Sequence, residues 1–223
     1  MSYKRYWIAL TVVILTSFAI LGGVGRKMIS EAPPLPDVYT TDGQFLFTGH
    51  SITDGQGVWQ SIGGQEIGTV WGHGAYVAPD WSADWIHRQS GILLDRWAVR
   101  DGAATFAELN VDQQAVLQAR LIRESRNNTY DAAKNRVTLD SDQAPAFDQL
   151  AAYYAGVFRD GRKEYAIPQG ALIDTAKQKQ LAAFFWWAAW AAGTNRPGSS
   201  VTYTNNWPHE PLIANNPTPG AVL

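Results

Sequence analysis

The sequence predicts a mainly α protein, one N-terminal transmembrane helix followed by an all-α soluble domain. Three observations carry that expectation. An uncharged run extends from Tyr6 to Gly25, apolar residues downstream recur at helical spacing behind capping residues, and no stretch alternates well enough to be a central strand. About 20 apolar residues suffice to cross a bilayer. This run is bounded by Lys4-Arg5 and Arg26-Lys27, is longer than the apolar part of a cleaved signal peptide, and shows no small-residue cleavage site. Residues 1–27 are therefore expected to remain as an anchor. Lys and Arg are balanced across the run, so charge barely sets orientation; the simplest arrangement has the N-terminus inside and the domain outside.

The elements follow in order. Residues 28–48 read as a spacer: Pro33, Pro34 and Pro36 stiffen its first part, and Asp37 to Phe47 reads as irregular or short extended chain. The folded domain is expected over residues 49–197. Thr53 and Gln56 have capping-box spacing, which predicts a short helix from Asp54 to Ile62, stopped by Gly63-Gly64 and weakened by Gly55 and Gly57. Ser82 is placed to cap a helix to Arg100 carrying Trp85, Ile86, Leu93 and Trp97. Asn110 and Gln113 open the next, with Ala115, Leu117, Leu121 and Ile122 on one side and Arg120, Arg123 and Arg126 on the other. A polar connection runs to Asp142, then a helix from Phe147 to Asp160 ends at Gly161. Asp174 or Thr175 opens the last helix, which runs to Ala192. Its segment Phe184 to Trp190 is aromatic over more than half the circumference, the pattern of a core helix or of one with a docking face. Residues 198–223, rich in Asn and Pro, read as a connector toward a missing membrane domain.

Composition removes whole classes of chemistry. A net charge of -2 without long like-charged runs gives no nucleic-acid signal. With no cysteine there is no disulfide, thiolate metal site, cysteine nucleophile or thioether-linked haem. Ten tryptophans tilt toward docking on another surface. Glycines at 57, 63, 64, 68, 72 and 74 crowd one stretch, the mark of a tight loop or of backbone closely approaching a cofactor. Asp80, Asp84 and His87 are spaced to share a helix face and are weak candidates for a divalent metal; no third histidine completes the set, and no metal site is expected. His73, between two glycines, reads as a loop residue, and Asp140 and Asp142 as solvated acids. No phosphate-binding glycine loop, dinucleotide fingerprint, nucleophile elbow, paired-histidine zinc motif or calcium loop is present, and no catalytic residue is assigned.

The segments Gly55 to Gly64, Val70 to Arg88, Thr194 to Gly198 and Tyr203 to Leu212 strongly resemble the single-chain, quinol-dependent bacterial nitric oxide reductases. The resemblance implies a transmembrane helix, a cytochrome c-like domain on the periplasmic or extracellular side of the inner membrane, and a following membrane domain with b-type haems and non-haem iron. That domain, the lipid bilayer and quinol reached through the membrane domain are the implied partners, and the whole enzyme converts two NO to nitrous oxide and water. Aligned with the cytochrome c subunit of two-subunit relatives, the thiol and axial-histidine positions fall on Gly64, Ile67 and Gly68, and the axial-methionine position on Ile167. The resemblance therefore implies no cofactor in this chain. Trp59, Trp71, Tyr76, Trp81 and the aromatics of the last helix are expected to fill the haem volume. This part alone is expected to be inactive. The alternatives are a membrane-anchored binding or assembly module, and a metal-dependent enzyme using Asp80, Asp84 and His87.

Overall fold

The computed structural model describes residues 3–222. The chain divides into two compact units, Met1–Pro34 and Leu35–Leu223. The first is helix α1 (Lys4–Ser30), whose 27 residues have a mean hydropathy of 2.2 in their most apolar window. At 1.5 Å per residue it spans about 40 Å, enough to cross a bilayer.

The second unit is built on helices α2 (Gly49–Ser61), α3 (Trp81–Arg100), α4 (Val111–Arg126), α5 (Gln143–Asp160) and α6 (Thr175–Gly193), with the short α7 (Pro219–Val222). A small sheet joins them: β1 (Asp37–Thr40), β2 (Phe45–Phe47), β3 (Tyr130–Asp131) and β4 (Arg136–Leu139), in the order β2-β1-β4-β3. The sheet was not expected. Its strands are two to four residues long, too short for alternation to register, and the central parallel pair β1–β4 is pinned by Val38 opposite Val137, both fully buried.

The sheet moves the domain boundary. Residues 37–47 are two strands rather than a spacer, and the Asp37 N–H donates to the Asn135 carbonyl at 2.9 Å while Asn135 Nδ2 donates to the Leu35 carbonyl at 3.0 Å. The expected connector also packs into the domain as far as Asn215, with Thr202, Asn206, Glu210, Ile213 and Asn215 buried. Arg126, at the end of α4, holds it by donating to Asn215 Oδ1 at 2.6 Å and to Asn206 Oδ1 and the Ser200 carbonyl at 3.0 Å. Burial pulls the Arg126 guanidinium below its ordinary pKa. Asn215 in turn donates to the carbonyls of Ala192 (3.1 Å) and Pro208 (2.6 Å).

Helix ends follow the capping rules with two shifts. Thr48, not Thr53, caps α2, accepting from the Ser51 N–H at 3.2 Å, and Thr53 lies inside the helix. Asp80, not Ser82, caps α3, accepting from the Ala83 N–H at 2.9 Å. Asn110 and Gln113 form the expected capping box of α4, and Asp174 caps α6. Helix α5 starts at Gln143, with Pro145 in its first turn where no helical N–H is lost, and ends at Gly161 in the left-handed region (φ 79°). Arg120 is not on a solvated face. Its guanidinium lies 4.0 Å over the Trp97 ring and bonds Glu124 at 2.6 Å.

The most extensive helix pair is α2 crossing α6, and Gly55 is the reason the two come so close. A Cβ there would overlap the backbone at Gln180, 2.6 Å from its carbonyl carbon, and lie 2.8 Å from Phe184 Cβ. Gly57, by contrast, faces open space. Gly55→Ala is expected to force the helices apart and cost about 1–3 kcal/mol, the range for overpacking a tight contact. Thermal unfolding followed by circular dichroism checks this, with Gly57→Ala as the tolerated control.

A glycine loop packed by two indoles

The loop between α2 and α3 is organised by the carboxylate of Asp80, which is 6% exposed. Its Oδ2 accepts from Thr69 Oγ1 and from the Gly72 N–H, both at 2.7 Å. Its Oδ1 accepts from the Ala83 N–H and the Ser82 hydroxyl. Ser82 Oγ accepts from the Trp71 N–H at 3.2 Å, and Thr69 Oγ1 from the Gly74 N–H at 2.8 Å. One buried acid thus ties together the start of α3 and the turn of the loop. Trp71 has a left-handed backbone (φ 59°), uncommon for a bulky residue. It is held by an Nε1–H bond to the Ala188 carbonyl (2.8 Å) and by its ring 5.2 Å from Trp187. Trp207, from the C-terminal segment, donates to the Gly72 carbonyl at 2.8 Å and meets the His73 ring at 4.6 Å.

The positions aligned with a haem-attachment motif are sterically closed. A Cβ on Gly64 would overlap the Trp59 indole and lie 2.5 Å from the Trp59 carbonyl oxygen. A Cβ on Gly68, whose φ is 148°, would overlap the Trp81 indole, 2.8 Å from Cε2. The Nε1–H groups of both tryptophans are buried without a hydrogen-bond partner. Each such orphan costs about 1–3 kcal/mol, so the rings hold these places for packing and not for polarity. Ile167 is buried and joins the same core. The residues present do not fit a thioether-linked haem: the chain has no thiol, and side chains at 64 and 68 would strike the indoles.

Beneath the loop the aromatic rings interlock. Trp81 stacks on Phe185 (5.5 Å, 11°) and meets Tyr154, Phe158 and Tyr165 edge-on or tilted. Trp85 stacks on Tyr154 (5.2 Å, 7°), and Trp59 lies 5.7 Å from Phe184. Of the aromatics expected here, Trp59 and Trp81 are buried and Trp71 is half-buried, but Tyr76 is fully exposed. The Ala75 N–H bonds the Ala78 carbonyl at 2.8 Å, so Tyr76 rides the outside of a tight turn and cannot reach the core.

The three candidate metal ligands have separate tasks. Asp80 holds the loop. Asp84 accepts from Arg88 Nε at 2.8 Å and from the Tyr154 hydroxyl at 2.7 Å, and burial together with Asp84 pushes the Tyr154 pKa well above its ordinary value. His87 Nδ1 lies 2.9 Å from Glu210 Oε2, binding α3 to the C-terminal segment. Among the described residues no three His, Cys, Asp or Glu side chains stand together as a metal site. Sequence reasoning missed Glu210 and Trp207, whose partners lie more than a hundred residues away.

The second unit is mainly helical, and the family match over most of its length makes its class cytochrome c-like. Residues 36–209 match the family model for the cytochrome c-like domain of NorB, a nitric oxide reductase subunit, and the chain belongs to that family. A comparison with the curated proteins gives no match.

Proposed function

We infer that this chain is the membrane-anchored, haem-free cap of a quinol-dependent nitric oxide reductase. Helix α1 anchors it in the inner membrane, with the second unit on the periplasmic or extracellular side. The b-type haems and the non-haem iron belong to a further membrane domain, where 2 NO + QH2 → N2O + H2O + Q takes place. The chain's own residues supply no redox group. Its cytochrome c-like unit keeps the shape of an electron-accepting domain while its attachment loop is closed, so electrons enter from quinol and not from a soluble donor.

The observation that carries this reading is the pair Gly64–Trp59 and Gly68–Trp81, where indoles occupy the ground of the attachment residues in a chain of this family. The test is an absorption spectrum of the purified chain, produced in cells that mature c-type cytochromes. No Soret band is expected, and a stoichiometric one overturns the reading.

A further inference from the structure

Away from the glycine loop, a cavity of about 240 Å³ opens between α3, α4, α6 and the β4 side of the sheet. Its floor is buried and apolar, formed by Ile86, Leu93, Leu121, Trp186 and Ala189. An apolar cavity of about 150 Å³ already holds a benzene ring, so this one has room for a ring with a substituent. Its mouth is polar and reaches solvent at Asn127 and Thr129. The two carboxylates on its wall are faced by one guanidinium: Arg120 bonds Glu124 at 2.6 Å and stands 3.8 Å from Asp140. The wall therefore calls for neither a cation nor an anion.

Two polar groups on that wall are left over by the hydrogen bonds around them. Trp85 Nε1–H can only donate, and it does so to Gln89 Oε1 at 2.6 Å, which fixes the orientation of the Gln89 amide. Gln89 Nε2 then donates to Gln143 Oε1, and the Gln143 Nε2 donor remains. The Ser90 hydroxyl, next along α3, is the second group. Among the described residues neither bonds to protein, although Gln143 is only 8% and Ser90 only 3% exposed. Both atoms keep accessible surface, whereas Glu124 Oε2 is sealed. A buried donor without an acceptor is costly, and the indole and aliphatic side chains of the floor offer none.

We propose that this cavity binds an uncharged one-ring molecule bearing a carbonyl, its ring on the apolar floor and its carbonyl oxygen accepting from Gln143 Nε2. The ligand supplies the acceptor that Gln143 lacks, adds no charge to a wall that is already balanced, and covers apolar surface no other side chain covers. The site is independent of the glycine loop and of the redox reading.

NMR titration of the isotope-labelled full chain in detergent tests it with benzamide, benzoate and benzylamine as probes. The readout is the indole N–H signal of Trp186 on the cavity floor, assigned with Trp186→Phe. Benzamide is expected to shift it saturably, and the two charged probes to bind about tenfold more weakly or less, a gap near 1.4 kcal/mol. Gln143→Met removes the donor at similar length and is expected to weaken benzamide about tenfold. Ala189→Leu fills the floor and is expected to abolish the shift. Circular dichroism identifies a variant that fails to fold, and the other then decides; the comparison of the three probes on the unaltered chain needs neither. Benzoate or benzylamine binding as tightly as benzamide, or benzamide binding that neither folded variant changes, overturns the proposal, as does a cavity that takes up water alone.

Discussion

Restoring the attachment residues, Gly64→Cys, Ile67→Cys and Gly68→His in one chain, is expected to give an unfolded protein and not a c-type cytochrome. Each new Cβ at 64 and 68 would occupy the space of a buried indole, Trp59 and Trp81 respectively. Trp81 is fully buried and stacked on Phe185, with Tyr154, Phe158 and Tyr165 around its edges. Overpacking costs about 1–3 kcal/mol at each site. Position 68 adds strain, because a φ of 148° is a backbone that L side chains rarely adopt. The combined loss is a large share of the stability of an ordinary domain, about 5–15 kcal/mol. The single change Ile67→Cys, at a half-buried position, is expected to fold and serves as control. The measurements are thermal unfolding and a haem stain after expression with a haem-attachment apparatus. A folded triple variant carrying covalent haem would show that the loop had kept its function.

The helices were legible where the cap chemistry is local. Asn110 with Gln113, Asp174 and Gly161 each act within their own turn, and each stands where the pattern puts it. Thr53 misled because its spacing fits a capping box while Thr48 leaves a strand with the extended backbone a cap needs (φ -90°, ψ 160°). The sheet was not legible, since its longest strands have four residues and its register rests on contacts such as Asp37 with Arg136 across nearly a hundred residues. The same holds for the C-terminal segment. Its Asn-rich composition reads as loose chain, yet Asn206 and Asn215 are buried acceptors for Arg126.

At the site, the sequence displayed the absences: no thiol, and glycines or isoleucines at the aligned positions. It could not show what fills the space. Tyr76 and Trp81 are both aromatic neighbours of the loop, but one rides a turn into solvent and the other is the centre of the aromatic core. Only the direction of the backbone separates them. Gly55 shows the same limit in reverse, a residue that weakens a helix by propensity and allows its tightest crossing by having no side chain.

Asp142, read from sequence as a solvated acid, is expected to be a main support of the fold and its acid-sensitive point. The residue is 3% exposed and stands at the start of α5, but its carboxylate makes no cap. It accepts instead from Trp97 Nε1 at 2.9 Å and from both terminal nitrogens of Arg100, with Arg120 3.6 Å and Arg96 3.9 Å away. Burial opposes its charge, but the hydrogen bonds from Arg100 and Trp97 and the charges of Arg100 and Arg120 outweigh that, so its pKa is held below the ordinary carboxylate value. A depressed acid contributes stability above its unfolded pKa, about 3.9, and loses that contribution as pH falls from there through its lower folded value. Asp142→Asn keeps the shape and removes the charge that three arginines face. Asp142 is buried but its arginines stay partly solvated, so losing the charge costs about 1–3 kcal/mol rather than the full penalty of a buried pair, and the variant is expected to unfold at lower urea at pH 7. As pH falls below the ordinary carboxylate value the gap should narrow, because the wild-type acid takes up its proton at its lower folded value as well. Urea midpoints at pH 7 and in that acid range decide it. A gap of the same size at both would mean that Asp142 acts through its shape and the Trp97 hydrogen bond rather than through its charge.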